Sequence, residues 1–266
     1  MDIRQIFIFL ILICISNYTV LPLVRLSRAM NVPMNLVEPF LANVNSIYVI
    51  LIILICWIVL ISDYPKMEGN NGYILIRINR MTWLAGKICA FVLSAVVYIA
   101  ELIIVFTLNA VSVCFAANGW SYLMLDFDTK YMDLTSQYAI VCKVNATLFN
   151  HYLPYQAFLK TVLLVFGICC MFGLIMIAAS LGKSKMLGLI INLILTIGGF
   201  VMVLTMNGAI YLFPLANVML EYQATALIQL RSKSYSWLYF VIVCAILIVC
   251  NVVLVRRGQI QKDGER

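Results

Sequence analysis

The sequence predicts an all-α, polytopic membrane protein, and three observations support that fold class. Hydrophobic residues make up 64% of the 266 residues. Charged residues make up only 11%, less than half of the roughly 25% typical of soluble domains. The apolar runs are long and continuous, whereas a transmembrane β-barrel would show alternating segments of about 10 residues. This composition leaves no room for a separate soluble domain.

Six runs are apolar enough to be transmembrane helices, since a helix needs about 20 apolar residues to cross the hydrocarbon core. In lipid the backbone must satisfy its own hydrogen bonds, so each run is interpreted as a helix. The predicted spans are residues 3–24, 47–61, 84–116, 157–181, 186–213 and 237–255. The second is short by this criterion, and residues 43–46 would extend it. A single transmembrane domain therefore occupies residues 1–266.

The distribution of lysine and arginine predicts that both termini are cytoplasmic, by the positive-inside rule. With that orientation, eleven of the 18 basic residues lie on the inner side and seven on the outer side. Arg256 and Arg257 follow the last span directly, and Lys183 and Lys185 belong to a tight turn between the fourth and fifth spans. We therefore expect a multi-pass protein of the cell membrane.

The outer side is predicted to carry one unusual segment, residues 214–236, ahead of the last span. Residues 215–230 are still largely apolar, but one glutamate and two glutamines make them too polar for a full span. We interpret the segment as a re-entrant or interfacial hairpin, whose backbone must be covered by protein at that depth. The other outer segments are a polar link at residues 25–45 and a longer loop at residues 117–156.

On the inner side, residues 62–87 form a long polar break between the second and third spans. One proline, two glycines and two asparagines in its first half (Pro65, Gly69, Asn70, Asn71 and Gly72) favour turns. Its second half, residues 73–83, predicts a short amphipathic helix, because apolar residues recur there at intervals of three to four. Arg77 and Arg80 within this helix, with Lys87 just after it, add positive charge. A basic amphipathic helix between two spans is expected to lie on the cytoplasmic surface.

The sequence holds no recognisable motif of a catalytic or metal site. The nine cysteines lie mostly in apolar runs without a C-x-x-C pair, so they are interpreted as packing residues. Gly182-Lys183-Ser184 ends like a phosphate-binding loop, but isoleucine occupies position 177, where that motif needs glycine. His151 has no motif of a nucleophile or acid around it. We therefore expect no enzyme activity, no metal and no cofactor in this chain.

Three polar residues within the predicted spans are candidates for a substrate path. Glu101 lies about 20 Å beyond Lys87 along the third span, at 1.5 Å per residue. A carboxylate near the midplane costs about 2.5–3.5 kcal/mol on the lenient insertion scale, so it must face protein or water or stay protonated. Either a cavity or a hydrogen bond to a neighbouring helix would explain it. Asn109 and Asn207 are the other two candidates, although helix-to-helix hydrogen bonding is the simpler explanation for asparagines in spans.

Six predicted spans, a basic helix between the second and third, and an apolar outer hairpin before the sixth form one recognisable arrangement. Within residues 62–87, the segments SDYP, YILIR and WLAGK carry the patterns Asp-x-Pro, Leu-x-Arg and Trp-x-x-Gly-Lys. In both respects the chain resembles the type-two ABC exporter permeases, in particular the small six-span permeases of Gram-positive bacteria. The arrangement covers the whole chain, whereas the motif covers only this loop.

The resemblance implies a half-transporter. Arg77, Asn79, Arg80 and Trp83 would belong to a coupling helix, residues 73–83, that docks on a separate ATPase subunit. Two permease subunits, identical or sister chains, would sit on two such ATPases, which would bind ATP and magnesium. The cargo would be amphipathic (a peptide, an antibiotic or a lipid) and would leave the cell, in self-protection or resistance. Membrane lipid is the other expected partner, and no nucleic acid is expected.

Two other classes of function fit the sequence. The first is an ion-coupled secondary carrier or channel, in which Glu101 would carry the proton or ion. The second is a membrane protein without transport activity, such as a scaffold or an immunity protein. Arg77 and Arg80 would then only fix the topology by binding anionic lipid, at about 1 kcal/mol each.

Overall fold

The computed structural model describes residues 3–65, 79–127, 137–182, 184–205, 208–220 and 235–256, and these residues are mostly helical. Five of the helices are long and apolar enough to cross a membrane, and a sixth span results if one bent pair of helices counts as a single crossing. The chain is therefore an all-α, multi-pass membrane protein, as the sequence predicts.

The described helices follow one another as α1 (Ile3–Met30), α2 (Glu38–Val44), α3 (Ile47–Ile61), α4 (Arg80–Leu108), α5 (Tyr122–Leu125), α6 (Ala146–His151), α7 (Pro154–Leu181), α8 (Lys185–Leu204), α9 (Pro214–Val218) and α10 (Tyr235–Arg256). Helices α1, α4, α7, α8 and α10 are the five long ones, and α2 with α3 forms the bent pair. Two short strands, β1 (Met34–Asn35) and β2 (Cys114–Phe115), pair in parallel. Two 3-10 turns, Val111–Val113 and Gly208–Leu212, complete the described elements.

Helix α4 occupies the place of the predicted third span, 84–116, with both boundaries shifted towards the N-terminus. It begins at Arg80 because Asn79 caps it there. The Asn79 Oδ1 accepts a hydrogen bond from the backbone N–H of Met81 at 3.3 Å, as an N-cap side chain does. The helix ends at Leu108, where a turn, a 3-10 turn and β2 follow.

The described part of the predicted coupling helix, 73–83, is continuous with this span. Arg80 to Trp83 form the first turn of α4 and do not belong to a separate surface helix. Residues 66–78, which carry the rest of that prediction, lie outside the described residues.

The described part of the predicted fifth span, 186–213, consists of α8 and a 3-10 turn. α8 ends at Leu204, and a 3-10 turn leads into α9, whose five residues are all buried. Gly199 lets this segment approach α8 closely, since a Cβ added there would lie 2.9 Å from the Cβ of Leu215. The described start of the predicted hairpin 214–236 is thus covered by protein, and residues 221–234 lie outside the described part.

The helices run back and forth, so that their termini gather at two ends of the bundle. At one end, Trp83 at the start of α4 packs in a cluster with Leu181 at the end of α7 and Val255 near the end of α10. Arg4 near the start of α1 forms an ion pair at 2.5 Å with Asp63, just after α3. We call this the Trp83 end. The N-terminal end of α1 and the C-terminal end of α10 both lie at this end.

The opposite end, which we call the Glu38 end, contains the short elements. Helix α2 is buried along its whole length and packs against α3, α4 and α7. The strands β1 and β2 join the segment after α1 to the segment after α4. Helix α9 packs against α7, α8 and α10 at this end. The short helices α2 and α9 and the two strands therefore cover this end of the bundle.

An aromatic cluster lies in the core between α3, α4 and α7. The ring centroid of Trp57 is 5.0 Å from that of Tyr98 and 5.5 Å from that of Phe91. The Trp57 Nε1–H donates to the carbonyl of Cys169 at 3.2 Å, and the Tyr98 hydroxyl donates to the carbonyl of Ile53 at 2.7 Å. Aromatic pairs contribute about 0.5–1.5 kcal/mol each beyond their area burial. The cluster thus fixes α4 against the centre of the bundle.

Candidate functional site

Helix α4 carries most of the residues that the sequence singles out. Asn79 and Arg80 lie at its start, Trp83 one turn further on, and Glu101 well along it. Asn109 caps its other end. Of the remaining predicted site residues, Arg77 and Asn207 lie outside the described part of the chain.

The start of α4 combines an exposed side with a buried side. Asn79 and Arg80 are exposed. Trp83 is only 7% exposed and belongs to a small apolar cluster with residues of α7 and α10. The Lys87 Nζ lies 5.9 Å from the centroid of the Trp83 ring, within the range of a cation–π contact. Among the described residues of the predicted coupling surface, Asn79 and Arg80 are thus the ones free to meet a partner.

At the same end, polar contacts join the segment after α3 to α1 and to α4. The Tyr64 hydroxyl donates a hydrogen bond to the carbonyl of Lys87 on α4. Arg4 on α1 pairs with Asp63 at 2.5 Å and donates to the hydroxyl of Ser62 at 2.9 Å. The segment that follows α3 therefore contacts both α1 and α4. These residues include the Asp-x-Pro part of the sequence motif.

Glu101 is half-buried, and within the described residues no hydrogen bond or ion pair reaches its carboxylate. It lies about 10 Å from Leu108, the last residue of α4, at 1.5 Å per residue. Residues at intervals of three and four on the same side of the helix are exposed, among them Ala90, Ser94 and Val97. An acidic group in a span is costly and marks a functional site by default. Glu101 is therefore placed at the margin of an open face, and it has no partner among the described residues that would explain it as a packing residue.

Asn109, by contrast, is engaged in contacts between two helices. Its Nδ2 donates to the hydroxyl of Ser16 at 3.1 Å and to the Oδ1 of Asn17 at 2.9 Å, both on α1. The Ser16 hydroxyl in turn donates to the carbonyl of Val105 at 2.8 Å. These bonds hold α1 against α4, which is the structural role that the sequence left open for asparagines in spans.

Sequence reasoning missed a buried carboxylate at the opposite end of the bundle. Glu38 is fully buried. Its carboxylate accepts hydrogen bonds from the backbone N–H of Asn35 at 2.9 Å, the backbone N–H of Ser121 at 2.7 Å and the Ser121 hydroxyl at 2.7 Å. Asn35 also donates from Nδ2 to the carbonyls of Ala117 and Gly119, at 2.6 and 2.8 Å. The supposed polar link 25–45 is thus part of the core of this end.

The bend between α2 and α3 was also missed. The two helices meet at 82°. At the corner, the Oδ1 of Asn45 accepts a hydrogen bond from the backbone N–H of Leu220 at 2.9 Å. The corner of this bent pair therefore meets the segment directly after α9 inside the protein. Non-helical backbone at membrane depth is tolerated where protein covers it, as happens here.

An apolar groove of about 310 Å³ lies between α4, α7 and α10. Phe91, Phe166, Trp237 and Phe240 line it with aromatic rings. None of the predicted site residues that the structure describes lines this groove, and its described lining residues, unlike them, include no charged side chain.

The described residues offer no place for a metal. Within the described ranges, no three histidine, cysteine or acidic side chains come together. All nine cysteines are free. Cys142, in the segment before α6, is 2% exposed, and this burial raises the pKa of its thiol. Such a thiol is unreactive, which fits the interpretation of Cys142 as a packing residue, whereas Cys14, Cys89 and Cys250 are exposed.

No protein-family model matches the chain, and no curated protein or solved structure matches it either.

Proposed function

We propose that the protein is the permease subunit of an ATP-driven ABC exporter that moves an amphipathic cargo, a peptide, an antibiotic or a lipid, out of the cell. The proposal rests on the arrangement of exposed and buried side chains in the first turn of α4. Asn79 and Arg80 are exposed there, while Trp83 is packed against α7 and α10. A force applied to the exposed side would therefore move three spans together.

In this proposal the Trp83 end is cytoplasmic, in accordance with the distribution of lysine and arginine. The sequence has no phosphate-binding loop, so ATP and magnesium would bind to a separate ATPase subunit that docks at this end. Arg77 would extend the docking surface formed by Asn79 and Arg80. Trp83 would transmit the movement without touching the ATPase, because its ring is buried.

A second permease subunit, the same chain or a sister chain, would lie along the open face of α4. This arrangement would cover Glu101 and Ser94 and reduce the cost of holding polar groups in the hydrocarbon. The cargo would move between the two subunits, with Glu101 beside its path. Asn109 would contribute by holding α1 against α4. Asn207, which lies outside the described residues, remains a predicted residue of this path.

Affinity purification of the full chain, co-expressed with an ATPase encoded beside it, tests the proposal. We expect the ATPase to co-purify and the Arg80→Glu variant to lose at least 90% of it. Arg256→Glu is the matched control, because Arg256 is exposed at the same end but lies on α10. Equal retention of the ATPase by Arg80→Glu and wild type, in a correctly folded variant, would contradict docking at this turn. Active transport by the purified chain alone would contradict the whole class.

A second candidate function is favoured by one observation: among the described residues, the carboxylate of Glu101 has no hydrogen-bond or ion-pair partner. In an ion-coupled carrier this residue would bind and release a proton during transport. Liposomes that contain only this chain distinguish the two functions. Uptake driven by a proton gradient and abolished by Glu101→Gln would support the carrier, whereas uptake that requires the ATPase and ATP would support the exporter.

A further inference from the structure

We propose that the groove between α4, α7 and α10 is a binding site for one acyl chain of a membrane phospholipid. This inference does not depend on the exporter function. Its lining combines small residues with aromatic rings: Gly167, Cys170 and Cys244 line the groove together with Phe91, Phe166 and Phe240. None of the described residues that line it is charged, so an occupant that presents a purely apolar surface fits it.

The length of the groove fits an acyl chain of one leaflet. On α7 it extends from Leu163 to Leu174, and on α10 from Trp237 to Ile248. Each of these stretches rises by about 16 Å at 1.5 Å per residue. That is about half of the roughly 30 Å hydrocarbon core of a bilayer. The occupant would therefore reach from one interface to about the middle of the membrane.

The groove is too narrow to enclose a helix of a partner protein, which could only place side chains in it. A volume of about 310 Å³, spread over about 16 Å, gives a mean cross-section of about 19 Å². An α-helix with its side chains is about 10 Å across, which corresponds to a cross-section about four times larger. A single extended alkyl chain is the apolar element that suits so narrow a space.

The direction of the chain follows from the position of aromatic residues. Trp237 lines one end of the groove and lies at the start of α10, beside Tyr235 and Tyr239, whose rings stack with centroids 6.4 Å apart. Tryptophan and tyrosine prefer the level of the lipid headgroups. The headgroup therefore lies near Trp237, and the end of the chain lies deep between α7 and α10, near Leu174 and Ile248.

The closeness of α7 and α10 explains why the site is preformed. At Gly167, an added Cβ would lie 3.0 Å from the Cγ of Phe240. The backbone of α7 at Gly167 thus lies directly against the Phe240 ring of α10, and both residues line the groove. A preformed apolar site binds a chain without first having to rearrange its walls.

Photolabelling in nanodiscs tests the proposal. The probe is a phosphatidylcholine with a diazirine in the middle of one acyl chain, and mass spectrometry maps the adducts. We expect the groove residues of α7 and α10 to be labelled at least fivefold more than the exposed residues Ile190 and Ile194 of α8. Cys170→Phe fills the groove and should reduce its labelling at least fivefold. Cys14→Phe, on the exposed side of α1, is the matched control and should leave it unchanged.

Three results would overturn the proposal. The first is equal labelling of α8 and the groove, as an ordinary lipid shell would give. The second is undiminished labelling of the folded Cys170→Phe variant, or of Cys244→Phe if the first variant does not fold. The third is efficient crosslinking between two copies through Cys244, which would mean that a second chain covers the groove.

Discussion

Replacement of Glu38 by glutamine removes one of the two acceptor oxygens that join α2 to β1 and to the segment before α5. Glu38 Oε1 accepts one backbone N–H, from Ser121, and Oε2 accepts the backbone N–H of Asn35 and the Ser121 hydroxyl. In glutamine one of these oxygens becomes an NH2 group, so at least one buried backbone N–H faces another donor. A buried donor without a partner costs about 1–3 kcal/mol. We expect Glu38→Gln to lower the free energy of unfolding by that amount.

The measurement is reversible unfolding in mixed micelles with increasing SDS, followed by tryptophan fluorescence. Glu38→Ala leaves both backbone N–H groups without a partner and should cost about 2–6 kcal/mol on the same scale. Tyr122→Ala is the control, because Tyr122 follows Ser121 directly but is 75% exposed. It should change the stability by no more than about 0.5 kcal/mol.

A double-mutant cycle of Glu38→Gln and Ser121→Ala tests the contact itself. The two residues share hydrogen bonds, so we expect a coupling energy of about 0.5–3 kcal/mol between the substitutions. Additive effects, or a loss below about 0.5 kcal/mol for Glu38→Gln alone, would refute the assigned hydrogen bonds. Stability would then have to come from apolar packing at this end.

Three further predictions concern the contacts of the spans. Gly173→Ala should lower the melting temperature strongly, because the added Cβ would lie 1.8 Å from the Cζ of Phe91. Gly86→Ala is the control in the same thermal-melting assay and should not destabilise the fold, since no atom lies within 4 Å of its added Cβ. Asn109→Leu should cost about 0.6–1.7 kcal/mol in SDS unfolding, the range of hydrogen bonds between transmembrane helices. Arg4→Ala should cost no more than about 1 kcal/mol in the same assay, because both partners of its ion pair are about half exposed.

The sequence predicted the membrane helices because their signal is local. A run of about 20 apolar residues must form a helix in lipid whatever its neighbours are. The bounds of α3, Ile47–Ile61, coincide with the predicted second span for this reason. The start of α4 was missed by a few residues, although Asn79 is an N-cap residue type that could have located it.

The features that sequence reasoning missed depend on partners far along the chain. Glu38 is separated from Ser121 by 83 residues, and Asn45 from Leu220 by 175. No pattern within a window of the sequence reports such pairs. A glutamate directly before Pro39 was a weak signal of a helix start, since acidic residues and proline both favour the first turn. Nothing local could show that this helix start is buried.

Trp83 shows the same limit in the candidate site. A tryptophan near a predicted boundary is typical of both membrane anchors and partner surfaces. Its burial follows from α7 and α10, which begin about 70 and 150 residues later, and only the packing of these helices decides between the two interpretations.

The two ends of the bundle are held by different forces, and this difference determines which end opens more easily. At the Glu38 end, buried groups carry the contacts, such as Glu38 with Ser121 and Asn45 with Leu220. Separation there would leave buried donors without partners, at about 1–3 kcal/mol each. At the Trp83 end, the ion pair of Arg4 is exposed, and such pairs contribute only about 0–1 kcal/mol. Water can replace the Arg4 contacts at once, so at the Trp83 end α1 would separate first from the segment after α3, while the buried cluster around Trp83 keeps α4, α7 and α10 together.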